Sequence, residues 1–184
     1  MVCVEDLELA KGVASGDADA IARFVDRFYP SVFRFLWQAS GSREDAEDLA
    51  SEAMLRARVD IRGYRSDGSL AAWVYSLARR EFLQYRRRKA LASVFAGRKN
   101  PGAVPPHNED FVIVQQALAS LPVHQRTAFL LVEVEGLSTD EASSALAVPV
   151  GTVKSRCFHA RKRLREILGP SYPEVSNYAQ PIPD

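Results

Sequence analysis

Residues 137–168 constrain the fold more than any other stretch, because they read as two short helices around a tight turn, the second with a dense basic face. Ser138 is followed three residues later by Glu141, the spacing at which a serine hydroxyl and a glutamate reciprocally cap a helix N-terminus. Ala142, Ala145 and Leu146 give that first helix an apolar side, and Ala147-Val148-Pro149-Val150-Gly151 interrupts it. In the second helix Val153, Cys157, Ala160, Leu164 and Ile167 recur at helical spacing and are expected to face a core. Thr152, Lys154, Ser155, Arg156, His159, Lys162 and Arg163 then turn outward, a face of the kind that lies in a major groove. A solvated cationic helix end is the plain alternative. Against it stands the grouping of Thr, Ser, Lys and Arg at the start of the second helix, where backbone N–H groups meet phosphates.

Net charge alone would not point to nucleic acid, since 24 basic residues face 23 acidic ones for a net +1. Distribution matters more than the sum. Residues 79–89 hold Arg79, Arg80, Arg86, Arg87, Arg88 and Lys89 against a single Glu81, and residues 154–165 hold no acid. The acids gather at Glu44, Asp45, Glu47, Asp48 and Glu52, so one chain carries faces of opposite sign.

Helical periodicity runs through both halves with no alternating, β-branched stretch, which predicts an all-α protein of two helical domains joined by a flexible linker. The domains are expected at residues 1–92 and 109–168, with a linker at 93–108, richest in turn formers from residue 96, and a disordered tail at 169–184. An apolar share of 47% with 26% charged residues suits a globular chain, and no apolar run approaches a membrane span. The N-terminal residues are acidic where a secretory signal would be cationic, so a cytoplasmic location is expected, without membrane insertion. Only Cys3 and Cys157 are present, too few ligands for a disulfide framework or a zinc site. Cys157 reads as a small core residue, and no metal or cofactor is expected.

The N-terminal half predicts four helices, near residues 5–14, 17–39, 42–59 and 69–90. The second carries Ile21, Phe24, Val25, Phe28, Val32, Phe35 and Leu36 as a core face, with a kink expected at Pro30. The third presents Ala46, Leu49, Ala50, Ala53 and Ala57 on one side and begins with a run of carboxylates. Those acids either complement the helix dipole or dock a basic partner. In the fourth, Trp73, Tyr75, Phe82 and Tyr85 lie close to the arginine cluster and follow a loop with Tyr64, Arg65 and Ser66. Aromatic rings beside guanidinium groups suit unpaired bases and their phosphates, whereas burial in a core is the alternative for each ring taken singly.

From about residue 17 to residue 168 the chain resembles bacterial RNA polymerase sigma factors of the extracytoplasmic-function (ECF) type. Five segments carry the resemblance: Asp45-Ala46-Glu47-Asp48-Leu49, Ala72-Trp73-Val74-Tyr75-Ser76-Leu77-Ala78-Arg79, Leu118-Ala119-Ser120-Leu121-Pro122 with Gln125-Arg126, Glu135-Gly136-Leu137-Ser138 and Val150-Gly151-Thr152-Val153-Lys154-Ser155-Arg156. It implies an alternative sigma factor that binds core RNA polymerase and directs promoter recognition, DNA melting and initiation. Core polymerase would be held by Asp45, Glu47, Asp48 and Glu52. The minus-ten element would meet Tyr64, Arg65, Ser66, Trp73, Arg79, Arg80, Arg86 and Arg87, with a flipped base held by the loop at the cost of its unstacking. The minus-thirty-five duplex would be read by Thr152, Lys154, Ser155, Arg156, His159 and Arg163. An anti-sigma factor is a further implied partner. Ser51 and Arg80 depart from the family, which usually has glutamine and asparagine there, and Phe158-His159 stands where it more often has His-Arg.

Two other classes compete. An enzyme would need convergent catalytic groups, yet His107, His124 and His159 are scattered and no glycine-rich phosphate loop occurs, so catalysis is not expected. A helix-turn-helix regulator, or a sigma-like decoy without initiation activity, shares the C-terminal half but has no use for the acidic helix.

Overall fold

The computed structural model describes residues 4–65, 68–96 and 109–169. Among them every regular element is helical: α1 (Val4–Ser15), α2 (Ala18–Ser40), α3 (Arg43–Asp60), α4 (Leu70–Ala96), α5 (Glu109–Ser120), α6 (Val123–Phe129), α7 (Thr139–Leu146) and α8 (Val150–Leu168). A 3₁₀ turn, Ile61–Gly63, follows α3, and a π-helical turn, Leu130–Val134, extends α6. The helices form two compact units, α1 to α4 and α5 to α8. Cys3, Ser66, the segment 97–108 and the expected tail from 170 lie outside the described residues.

The first unit is organised by α2, whose Phe24, Phe28, Val32, Phe35 and Leu36 are all buried. Its start is fixed by Asp17, whose carboxylate accepts from the Asp19 and Ala20 amides at 2.9 and 3.3 Å. Gly41, at φ 76°, ends it in the left-handed region that glycine adopts without strain. The helix continues through Pro30. Helix α3 lies against it along Ala46, Ala50, Ala53 and Ala57, each fully buried, and side chains this small allow the two backbones to approach closely. Gly12 of α1 serves the same end, because a Cβ there would stand 2.5 Å from Ala20 Cβ of α2.

Three expectations are corrected. Val25 and Ile167 were assigned to core faces but are 37% and 47% exposed. Val25 sits at the edge of the Phe24–Phe28 stripe, and Ile167 falls in the last turn of α8, beyond the buried Leu164. Helix α4 runs to Ala96 where an end near residue 90 was expected, because Leu91 to Ala96 contain neither glycine nor proline and Gly97 is the first breaker.

In the second unit the expected capping box is present: the Glu141 amide donates to Ser138 Oγ at 3.2 Å, and the Ser138 amide to Glu141 Oε2 at 2.9 Å. Helix α7 buries Ala142, Ala145 and Leu146 as anticipated, and α8 buries Val153, Cys157, Ala160 and Leu164. The Cys157 thiol is pushed up to about 11, by burial first and by the nearby Glu133 charge second, as suits an inert packing group. Arg126 reaches back to the carbonyls of Ala119 and Leu121 at 2.7 and 3.2 Å, tying α6 to the end of α5.

The turn between α7 and α8 stores strain at Ala147, the one non-glycine residue with positive φ among the described residues (φ 51°, ψ 49°). That conformation costs an L-residue about 1–2 kcal/mol, and glycine would return about 0.4–1 kcal/mol of this through its freer unfolded chain. Ala147→Gly is therefore expected to stabilise the second unit by about 0.5–1 kcal/mol in chemical denaturation. A lower midpoint for the variant would show that the turn is not strained.

Candidate nucleic-acid and polymerase interfaces

Helix α4 is divided lengthwise. Leu70, Val74, Leu77, Ala78 and Phe82 are buried, and Tyr75 joins them, its ring meeting Phe35 edge-on at 5.6 Å. Of Trp73, Tyr75, Phe82 and Tyr85, Tyr75 and Phe82 therefore belong to the core. Trp73 is different: half-buried, it lies 5.8 Å from the Tyr64 ring, centroid to centroid, on the outward side of the helix. Tyr64 is fixed in turn by its hydroxyl, which donates to the Gly68 carbonyl at 2.6 Å. Arg80 and Arg87 follow Trp73 at intervals of seven residues, so the three share one side of α4, and both arginines are exposed. Arg86 and Arg65 are exposed and Arg79 is half-buried. Ser66 lies outside the described residues.

The rest of the basic cluster has an internal task that the charge pattern alone does not reveal. Lys89 Nζ is 3.3 Å from the Asp45 carboxylate and also donates to the Tyr85 hydroxyl, which donates to Asp45 at 2.5 Å. Arg88 approaches Glu52 at 3.8 Å, and Arg56 of α3 approaches the buried Glu81 at 3.6 Å. These pairs stitch α3 to α4. Asp45, expected on the polymerase-docking surface, is thus committed to the neighbouring helix.

Burial works against the charge of Asp45, but side-chain hydrogen bonds with Tyr85 and Ser42 and the charge and hydrogen bond of Lys89 outweigh it, so the carboxyl is held below its ordinary value. Tyr85 is raised by burial and then by Asp45; Lys89 is raised chiefly by its hydrogen bond to Tyr85.

The other acids present themselves to solvent. Asp48, Glu52, Leu55 and Val59 fall at helical intervals of three and four along α3, and all four are exposed, Leu55 at 63% and Val59 at 74%. Glu47 is exposed and pairs along its own helix with Arg43 at 3.1 Å. Leu55, Val59, Glu52, Gln84 and Arg88 line a groove between α3 and α4. The exposed leucine and valine were missed in the sequence, where only their departure from the alanine stripe marked them.

In the second unit the outward face of α8 holds the exposed Lys154, Ser155, His159, Lys162 and Arg163, with Thr152 and Arg156 half-buried. Phe158 is 60% exposed among them, its ring meeting His159 at 5.5 Å.

An aromatic and arginine surface on one helical unit and a basic second helix of a helix-turn-helix on the other define a two-module, all-α, DNA-binding protein. Sequence comparison takes this further: the family model "Sigma-70 region 2" matches residues 24–91, and "Sigma-70, region 4" matches residues 111–164. The chain is 34% identical over 167 residues to the ECF RNA polymerase sigma factor SigM of Mycobacterium tuberculosis, covering 89% of this chain and 85% of that one. It is 31% identical over 178 residues to the ECF RNA polymerase sigma factor SigW of Bacillus subtilis, covering 86% and 94%. Among solved structures it is similar to the sigma factor RpoE in complex with the anti-sigma factor NepR from Bartonella quintana, with a TM-score of 0.75, 26% identity and coverage of 82% and 98%. The chain belongs to the ECF RNA polymerase sigma factors. It is an alternative sigma factor, a DNA-binding initiation factor that binds core RNA polymerase and directs promoter recognition. A helix-turn-helix regulator would account for the region 4 match and leave region 2 unexplained. Among the described residues no helix is long and apolar enough to cross a membrane.

The clasp of Asp45, Tyr85 and Lys89 carries a signed pH dependence. A depressed carboxyl adds stability above its unfolded pKa and loses it as pH falls through the folded value; raised phenol and ammonium groups add stability below their unfolded pKa and lose it as pH rises through the folded values. The clasp should therefore be constant across neutral pH and weaken below about pH 4 and above about pH 10. Tyr85→Phe is expected to cost about 1 kcal/mol of unfolding free energy at pH 7. Urea titrations of wild type and variant will check this, and equal stability would refute the clasp.

Proposed function

We propose that the two units divide promoter recognition as follows. The exposed stripe of Asp48, Glu52, Leu55 and Val59 on α3, with Glu47 beside it, docks core polymerase. Asp45 supports that surface from behind by holding α3 to α4. The stripe combines acids with bare apolar side chains, the composition of an interface centre with a charged rim. Trp73 and Tyr64 take an unpaired minus-ten base between or against their rings, while Arg65, Arg79, Arg80, Arg86 and Arg87 hold the strand's phosphates; Ser66 belongs to the same loop. Arg80 places a fixed charge here, so it strengthens backbone attraction more than base choice.

Helix α8 reads the minus-thirty-five duplex. Thr152, Lys154 and Ser155 meet phosphates near the helix N-terminus, and Arg156, His159 and Arg163 extend along the groove. Phe158 adds an apolar surface of the kind that meets a thymine methyl. The chain acts in the cytoplasm as a non-enzymatic factor, under an anti-sigma factor that competes for the α3–α4 groove. Support for that partner comes from RpoE of Bartonella quintana, solved with its anti-sigma factor NepR. The units are proposed as residues 1–92 and 109–168, with 93–108 connecting them.

The observation that carries this reading is the joint exposure of Asp48, Leu55 and Val59 on a helix otherwise lined with buried alanine. Asp48→Lys is expected to weaken binding to core polymerase by at least about tenfold while leaving helicity and duplex binding intact. Arg156→Ala should preserve core binding and lose about 1–3 kcal/mol of discrimination on a promoter mapped by in-vitro transcription. Unchanged core affinity in the first variant would remove α3 from the interface; unchanged promoter preference in the second would remove Arg156 from base readout.

A further inference from the structure

Helix α1 precedes the residues matched by the region 2 family model, which begin at residue 24. In the structure Asp6 is 4% exposed, deep for a carboxylate, and makes two connections. Oδ2 accepts from the Leu70 amide, 64 residues away, at 3.2 Å. Oδ1 lies 2.8 Å from the Arg27 guanidinium of α2.

Leu70 is the first residue of α4. The opening amides of a helix lack intrahelical acceptors and carry the positive end of its dipole. Ser69 Oγ supplies one acceptor, taking the Ala72 amide at 3.1 Å, and the Trp73 amide bonds the Ser69 carbonyl at 3.2 Å. Asp6 supplies another from outside the helix, at the Leu70 amide. The cap on the helix that presents Trp73 is thus divided between its own loop and α1.

The far end of α1 makes a matching contact. Arg62, in the 3₁₀ turn before the loop, donates from Nη2 to the Ala14 carbonyl at 3.3 Å. Asp6 and Ala14 stand about 12 Å apart along the helix axis, eight residues at 1.5 Å. One rigid helix therefore grips the chain on both sides of the stretch between Arg62 and Leu70, the stretch that carries Tyr64. Gly12 lets that helix press onto Ala20 of α2.

We propose that α1 is a splint for the minus-ten site and that Asp6 is a positioning residue in promoter melting. It sets the first turn of α4, and with it the Tyr64–Trp73 pair, in place before DNA arrives, without touching DNA itself. The proposal rests on the minus-ten reading given above. Pre-setting that pair lowers the ordering cost of capturing an unstacked base.

The test uses full-length protein and holoenzyme, with Asp6→Ala and Asp6→Asn compared against wild type. Three quantities are read: core-polymerase affinity, affinity of the holoenzyme for a non-template minus-ten oligonucleotide from a mapped promoter, and hydrogen exchange of the Leu70 amide in the free protein. Wild-type binding of the oligonucleotide tests the minus-ten reading by itself; only the variants test Asp6. Asp6→Ala should speed exchange at Leu70 and weaken oligonucleotide binding about five- to tenfold, as loss of a cap implies, with core affinity unchanged. Asp6→Asn keeps an acceptor oxygen and should restore both to within about twofold of wild type. Unchanged oligonucleotide affinity in Asp6→Ala, or a parallel fall in core affinity, overturns the proposal. Where Asp6→Ala does not fold, Asp6→Asn decides alone. Protection at Leu70 and oligonucleotide affinity both kept within about twofold of wild type support the splint; loss of either overturns it.

Discussion

The buried side of α4 is the contact on which the first unit depends. Leu70, Val74, Leu77, Ala78 and Phe82 are held against α2 and α3, and that packing decides which residues of the helix remain outside. A helix that buries its apolar side presents its opposite side at fixed azimuth, so Trp73, Arg80 and Arg87 are aligned by the core, whatever they bind. The surface would lose its alignment if the helix rotated by one residue, about 100°, and the bulk of Phe82 and Tyr75 makes that rotation costly. The outward position of these three residues is in this sense a consequence of packing on the opposite side.

Periodicity carried most of the architecture. The starts at Asp17, Ser42 and Ser138 were legible because a short oxygen-bearing side chain before an apolar-periodic run has one clear use, and the structure places all three as N-caps. The exposed basic face of α8 was legible for the same reason. What could not be read was any relation between distant residues. Asp45 and Lys89 looked like members of two opposed surfaces because linear spacing shows charge and hides partners; the two are joined across 44 positions. Asp6 and Leu70 are further apart still. Val25 and Ile167 failed for a different reason, since a residue at the margin of an apolar stripe is buried only if a neighbouring helix extends over it.

The internal pairing also changes how the basic cluster is counted. Arg88 and Lys89 each face a carboxylate of α3, so they are partly neutralised before any ligand arrives. A cation already compensated gains less from a phosphate, because the counterion it would release is replaced by a carboxylate it must abandon. The exposed arginines on the other side of α4 are left to dominate salt-dependent attraction. A chain with a net charge of only +1 thus presents local cationic surfaces while keeping its helices clasped by ion pairs.

The second unit reaches a similar division with smaller side chains. Helices α7 and α8 pack against each other, α7 burying the small Ala142 and Ala145 with Leu146, and only Ala147, Val148 and Pro149 join them. The left-handed Ala147 is the local cost of that closeness, and the Ser143 hydroxyl bonding the Val148 carbonyl at 2.6 Å helps hold it. Helix α8 turns Val153, Cys157, Ala160 and Leu164 inward at helical spacing, and Phe158, out of phase with them, is left outside with the basic residues. A ring in that position is a single exposed apolar side chain, set beside the basic residues proposed to meet the duplex.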